Sequence, residues 1–354
     1  MSEKVLMKGN EAIAEAAIRS GCRHYFGYPI TPQTEIAAYM AKRMPKIEGG
    51  VFLQAESEIS AINMVYGVAA TGKRVMTSSS SPGISLKQEG ISYIAGSDVP
   101  ALIVNVQRGG PGLGGIQPSQ SDYFQATKGG GHGDYHLIVL TPASVQEMAD
   151  LTSHAFDLAD KYRMPVMLLA DGTIGQMMEP VELPEEKIST IDKPWALTGT
   201  KMQREHNIIN SLYLNTELLE KTNFERYKRY EIIEQNEAMY ESFMMEDADI
   251  CVVSFGITAR VSKNAIIEAR RQGVKVGLIR PITVWPFPKA PIAEASDKVK
   301  AFISVEMSMG QMIEDIKLAS GCKKPVHLCN RVGGMIPSPE QVLAKILEVN
   351  GGKN

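Results

Sequence analysis

Apolar and polar positions along the first 180 residues switch repeatedly between a helical and a strand period. Residues 10–19 carry small and apolar side chains at helical spacing, and the run His24-Tyr25-Phe26-Gly27 that follows reads as a strand. Further strands are predicted at 51–54, 74–77, 101–106, 136–140 and 165–170, with helices at 34–44, 57–70 and 144–162 among them. Short apolar strands separated by helices of ten or more residues predict βαβ units and a parallel sheet covered on both faces. Ligands of such sheets bind beyond the carboxyl ends of the strands, so the loops leaving those ends carry the chemistry.

The character changes between about 179 and 247. Pro180, Pro184 and Pro194 punctuate an apolar-poor stretch, and a charged helix with a solvated face is predicted from 216 to 245. Alternation then resumes, with strands at 250–254, 274–279, 301–305 and 326–329 and helices at 259–272, 311–318 and 339–349. The predicted fold class is α/β, with two doubly wound parallel-sheet domains at residues 1–190 and 248–354 and a partly helical linker at 191–247.

Composition narrows the function classes. The chain of 354 residues is 44% hydrophobic and 22% charged, and its net charge of -3 is spread without any block of like charges. That leaves no basic face for nucleic acid. The first residues lack the apolar core of a signal peptide, and no stretch approaches the roughly 18 apolar residues of a membrane span, so a cytoplasmic location is expected. Cys22, Cys251, Cys322 and Cys329 form no C-x-x-C pair, so reduced thiols are expected here rather than an iron–sulfur or zinc site. His132 and His136 flank a glycine-rich loop, not a helix face, and are not expected to bind metal.

Three loops that follow strands stand out. In Tyr28-Pro29-Ile30-Thr31-Pro32 two prolines stiffen the backbone around Ile30 and Thr31. Two readings stand: a rigid site for a flat ring and a carboxylate, or a plain turn in which Thr31 caps the next helix. In Glu56-Ser57-Glu58 the two carboxylates point to nearly opposite sides of the helix they open, so at most one faces the interior. Glu58 either answers the helix dipole, or is a buried carboxyl that can share a proton with a ring nitrogen. In the third loop Arg108 ends an apolar strand and precedes Gly109-Gly110-Pro111-Gly112-Leu113-Gly114-Gly115. A guanidinium there can grip a carboxylate through two donors, and the glycines admit close approach; their spacing is not that of a nucleotide-phosphate loop.

YPITP, then SE at the head of a helix, then an Arg ending a later strand, together resemble the 2-oxoacid:ferredoxin oxidoreductases, in the form of the separate alpha subunit of the multi-subunit branch. The likeness runs over essentially the whole chain. Its first part resembles a thiamine pyrimidine-binding domain, and the region from about 248, with Val253-Ser254-Phe255-Gly256 and Arg280-Pro281-Ile282-Thr283, resembles a transketolase C-terminal domain. The resemblance implies that Glu58 hydrogen-bonds N1′ of the cofactor's aminopyrimidine and favours its imino tautomer, with Pro29 and Ile30 also against the cofactor. Thr31 and Arg108 would hold the substrate carboxylate.

The implied reaction is oxidative decarboxylation of a 2-oxoacid to acyl-CoA and CO2 with reduction of ferredoxin. The G-D-G signature of a diphosphate-and-magnesium site does not occur in this sequence. The resemblance therefore implies a diphosphate-binding beta subunit, a ferredoxin-like subunit carrying 4Fe-4S clusters, a gamma subunit, coenzyme A as co-substrate and an external ferredoxin, in a dimer of heteromers. Relatives that use 2-oxoglutarate resemble P-T-K/R-x-E-Q in the loop after the glycines. Here Gln117-Pro118-Ser119-Gln120-Ser121-Asp122 offers no cation, and Lys128 is the nearest. A branched-chain substrate, 2-oxoisovalerate, is expected. The competing readings are a 2-oxoglutarate enzyme of the same type, the pyrimidine-binding half of a non-redox 2-oxoacid dehydrogenase, and a scaffold that has lost the chemistry.

Overall fold

The structure is a computed structural model that describes residues 4–187 and 191–352. The elements in order are β1 (Val5–Lys8), α1 (Gly9–Arg19), β2 (His24–Gly27), α2 (Thr34–Arg43), β3 (Val51–Gln54), α3 (Glu58–Ala70), β4 (Val75–Ser79), α4 (Ser81–Gly96) and β5 (Ala101–Gln107). There follow α5 (Tyr123–Thr127), β6 (Ile138–Leu140), α6 (Val145–Tyr162), β7 (Pro165–Asp171), α7 (Gly172–Gln176), β8 (Met178–Val181), α8 (Thr216–Asn236) and β9 (Tyr240–Phe243). The last are β10 (Ile250–Val253), α9 (Gly256–Arg271), β11 (Val276–Pro281), β12 (Thr283–Trp285), α10 (Lys289–Lys298), β13 (Ala301–Glu306), α11 (Met312–Ala319), β14 (Val326–Asn330) and α12 (Pro339–Asn350).

Seven strands form the first sheet in the order β12-β6-β7-β5-β4-β2-β3, parallel except for β12. Every residue of β4, β5 and β7 is buried, so helices cover both faces, as an uninterrupted apolar strand demands. The second sheet, β14-β13-β10-β11-β9, is parallel except for β9. This is the expected doubly wound α/β architecture. β1 and β8 pair separately as a two-stranded ribbon.

Three local expectations are corrected. The charged helix predicted to reach 245 ends at Asn236, and β9 follows it, because Tyr240 to Phe243 alternate exposed and half-buried against the edge of β11. α4 was not predicted; its Ser, Gly and Pro content hides a helix that Pro82 starts in the first turn. β12 pairs with β6 although it lies beyond residue 248, so the second half of the chain completes the first sheet.

The two sheets are joined through Gln120 and Asp171, the latter at the carboxyl end of β7. Gln120 donates to Phe255 O at 2.8 Å and accepts from Met307 N at 3.0 Å, and Asp171 accepts from Ile257 N at 3.0 Å. Among the described residues no helix is long and apolar enough to cross a membrane.

Candidate functional site

Four serines, Ser78 to Ser81, run from the end of β4 into the start of α4; the first and third loops are fastened to this run, and Glu58 of the second lies beside it. The Ser78 hydroxyl donates to Gln33 Oε1 at 2.5 Å and shares a 2.7 Å hydrogen bond with the Tyr25 hydroxyl, while Gln33 Nε2 donates to Tyr28 O at 3.3 Å. These bonds fasten the first loop to the centre of the sheet. Thr31 does not cap α2. Gln33 stands at that position, and Thr31 is exposed with its carbonyl turned to Arg108. Pro29 is exposed and Ile30 half-buried.

Ser81 fastens the third loop. Its hydroxyl accepts from Arg108 N at 3.1 Å and donates to Asp122 Oδ2 at 2.6 Å, and its amide donates to Asn105 Oδ1 at 3.2 Å. The guanidinium of Arg108 is buried. Its Nη1 donates to Thr31 O at 3.0 Å and its Nη2 to Leu113 O at 3.2 Å, so the glycine-rich loop folds back over it. Nε is buried with no hydrogen-bond partner among the described residues. Two of the five donors are engaged, and the Nε side of the fork is left for an incoming acceptor.

Glu58 opens α3 behind Ser57, whose hydroxyl caps the helix by accepting from Ser60 N at 3.2 Å. Glu56 is exposed and takes the Ser60 hydroxyl, whereas Glu58 is 5% exposed and makes no hydrogen bond to any described residue. The Glu58 carboxyl lies beside Ser79 and the backbone of Gly83. A Cβ at Gly83 would come within 2.1 Å of Ser79 Oγ and 2.6 Å of Glu58 Oε1. Only glycine lets α4 approach that closely. The Ser79 and Ser80 hydroxyls are also buried and unpartnered.

A buried carboxyl with no hydrogen bond to any described residue, two orphaned hydroxyls and an orphaned guanidinium N–H are costly unless something else satisfies them. An aminopyrimidine, which offers ring-nitrogen acceptors and an amino donor, fits this donor and acceptor set, and a carboxylate fits the Arg108 fork. The structure thus brings Arg108 into contact with Thr31, while Glu58 is tied to them through the serine run. An open cavity of about 720 Å³ flanks Thr31 and is lined by Ile116, Pro118, Met177 and Ile336; neither Glu58 nor Arg108 lines it.

Sequence reasoning missed the serine run and Lys87. Four hydroxyl residues directly after a predicted strand were a readable signal, since polar side chains at a strand's carboxyl end mark the ligand side of the sheet. Lys87 gave no signal, because a lysine in a sequence reads as solvated. Lys128, the first cation after the loop at 117–122 along the sequence, is paired with Asp315.

Two family models cover most of the chain. "Pyruvate flavodoxin/ferredoxin oxidoreductase, thiamine diP-bdg" matches residues 15–247, and "Pyruvate:ferredoxin oxidoreductase core domain II" matches 248–342. The chain is 53% identical over 350 residues to ketoisovalerate oxidoreductase subunit VorB of Methanothermobacter marburgensis, covering 99% of each. It is 36% identical over 387 residues to 2-oxoglutarate synthase subunit KorA of Methanothermobacter thermautotrophicus, covering 99% of this chain and 100% of the relative. Among solved structures, 2-oxoglutarate:ferredoxin oxidoreductase from Magnetococcus marinus, with 2-oxoglutarate, coenzyme A and succinyl-CoA bound, superposes with a TM-score of 0.87 at 29% identity. The match covers 98% of this chain and 65% of that one. A thiamine diphosphate-binding domain over residues 15–247, and relatives of equal length that are subunits of such enzymes, place the chain in one family: it belongs to the 2-oxoacid:ferredoxin oxidoreductases.

Proposed function

We propose that this chain is the pyrimidine-binding subunit of a heteromeric 2-oxoacid:ferredoxin oxidoreductase that decarboxylates a branched-chain 2-oxoacid, 2-oxoisovalerate, to acyl-CoA. The observation that carries the reading is the Glu58 carboxyl, enclosed at the head of α3 yet without a hydrogen bond to any described residue. When bound, thiamine diphosphate supplies the nucleophilic carbon and the electron sink that the decarboxylation needs. Glu58 would hold a proton at the pyrimidine N1′, Pro29 and Ile30 would lie against the ring, and Ser79 would take a polar contact beside it. Arg108, steered by Thr31 O and Leu113 O, would bind the substrate carboxylate through Nε, with the Thr31 hydroxyl beside it.

Residues 1–190 and 248–354 would act as the two domains, with 191–247 between them. The diphosphate and its magnesium fall to a partner chain, the 4Fe-4S clusters to a ferredoxin-like subunit, and a gamma subunit and an external ferredoxin complete a dimer of heteromers. Exposed apolar side chains around the Glu58 end of the sheet support a covering partner. Val51 and Leu53 on the edge strand β3, Ile59 on α3 and Leu86 on α4 are between 39% and 52% exposed.

The substrate reading draws on the VorB relative and on the side of the site around Thr31. Glu35 is the one charged residue among those lining the cavity there, Lys8, Asn10 and Gln176 already occupy it, and Lys128 is spent on Asp315. A second carboxylate, as in 2-oxoglutarate, finds no free cation on these groups. The test is methyl viologen reduction by the assembled complex with coenzyme A. 2-Oxoisovalerate should be preferred by at least about tenfold in kcat/KM, and E58Q should abolish turnover with assembly intact. Full turnover by E58Q contradicts the reading, and so does acyl transfer to lipoamide without viologen reduction.

A further inference from the structure

Residues 117–124 return the chain from the glycine-rich loop to α5, and they are held on two sides. Toward the first sheet, Pro118 forms an isolated antiparallel bridge with Arg108, and Gly109 N donates to Gln117 O at 2.8 Å. On the same side Asp122 Oδ2 accepts from the Ser81 hydroxyl at 2.6 Å and from Asn105 at 2.9 Å, and Ser81 in turn takes the Arg108 amide. Toward the second sheet, Gln120 N donates to Met307 O at 3.1 Å. Gln311, at the head of α11, donates through Nε2 to Ser121 O at 2.8 Å and accepts through Oε1 from Phe124 N at 2.8 Å. Gly334, after β14, lies so near that a Cβ there would fall 2.3 Å from Gln117 Cβ. The stretch that sets the backbone of Arg108 is thus itself seated on residues 307–334.

We propose that Gln311 is a positioning residue for the substrate grip: its side-chain amide clasps residues 121–124, and that segment holds Arg108 at the angle a carboxylate needs. This rests on the reading that Arg108 binds the 2-oxoacid carboxylate. Glutamine suits the part because one side chain supplies both an acceptor and donors, so it meets a backbone stretch as a neighbouring strand would. It acts through Arg108 and is not part of the grip.

The backbone of Gln311 is fixed by other bonds, its amide donating to Glu306 Oε2 at 2.8 Å and to the Ser308 hydroxyl at 3.2 Å. Truncating its side chain therefore frees the segment and leaves the start of α11 in place. Gln120 is a poorer probe. Its amide is buried between Phe255 O and Met307 N, so its removal would loosen the whole joint between the sheets.

Steady-state viologen reduction by the assembled complex reads the split between KM and kcat. Q311A is expected to raise KM for 2-oxoisovalerate by about tenfold, within the reach of two backbone hydrogen bonds, and to change kcat by less than about twofold. Added to R108K, the same substitution should raise KM by less than about twofold, because the group it acts through is already altered. E147Q weakens the paired 2.7 Å bonds from Arg280 to Glu147, a separate joint between the two halves, and should leave KM unchanged. An unchanged KM in Q311A, a loss that adds in full to R108K, or an equal loss in E147Q overturns the proposal. If Q311A does not assemble, Q311M carries the same comparison. A silent R108K would defeat the carboxylate reading and this role with it, whereas a silent Q311A beside an impaired R108K defeats this role alone.

Discussion

Arg108 donates through Nη1 to the backbone carbonyl of Thr31 at 3.0 Å, while its Nε, equally buried, has no partner. The contact joins the end of β5 to the proline turn after β2 across the carboxyl edge of the first sheet. It fixes the plane of the guanidinium, and so the direction in which the vacant donor points. Arginine is suited to this division because its fork can spend some donors on carbonyls and present the rest.

Replacing Arg108 with Lys keeps the charge and loses the fork. Charge-assisted hydrogen bonds of this kind are worth about 1.5–3 kcal/mol. R108K should therefore cost roughly ten- to a hundredfold in kcat/KM for the 2-oxoacid, while thiamine diphosphate affinity stays unchanged. Steady-state viologen reduction and cofactor titration of the complex check both parts.

The close approach at Gly83 makes a second expectation. An alanine methyl there must displace Ser79 Oγ or the Glu58 carboxyl, which would lie 2.1 and 2.6 Å away. Gly83 sits in the first turns of α4, and a helical backbone accepts alanine without strain. G83A should fold and assemble yet lose about a hundredfold in kcat, the usual scale for a misplacement near one ångström. Circular dichroism and gel filtration separate this from unfolding.

The exposed edge near the site predicts where a partner sits. L53D on β3 and I59D on α3 place a charge among side chains that are 39% and 51% exposed in the isolated chain. Both substitutions are expected to leave the subunit folded and to split the complex on gel filtration. A control at Ile232, 52% exposed on α8, should leave assembly intact.

Lys87, fully buried on α4, gives the fold a pH dependence of definite sign. Unfolded, its ammonium keeps the ordinary value of 10.5, and in the fold it is pushed down to about 7. Between these limits the unfolded chain holds a proton that the folded chain has released, so stability rises with pH across that window. Below it both states are charged, and above it both are neutral. K87M removes the effect, and its stabilisation relative to the natural chain, read as the difference in Tm, should shrink steadily from pH 7 to pH 10.

Much of the fold could be read from the sequence because the strands are buried on both faces. Ala101 to Gln107 and Pro165 to Asp171 are apolar runs whose length and flanks leave little choice. What escaped was set by tertiary contacts. β12, only three residues long, exists because Thr283 finds Leu140 across the sheet, and β9 because Tyr240 to Phe243 line the edge of β11. Of the site, helix geometry announced that at most one of Glu56 and Glu58 could face inward, and the structure turns Glu58 in and Glu56 out. Thr31 was open to a capping role that Gln33's position displaced. Lys87 was invisible, since its burial depends on Gly83 and Gly90 clearing a path between two helices, which no local pattern announces.

In the proposed complex Glu58 meets the pyrimidine of a thiamine cofactor held at its other end by a different polypeptide. A cryo-electron microscopy map of the assembled complex loaded with thiamine diphosphate measures this directly. The Glu58 carboxyl is expected within hydrogen-bond distance of the ring N1′, with the diphosphate and its magnesium on another subunit. Density that places the Glu58 side chain away from the ring, or the whole cofactor within one chain, would contradict it.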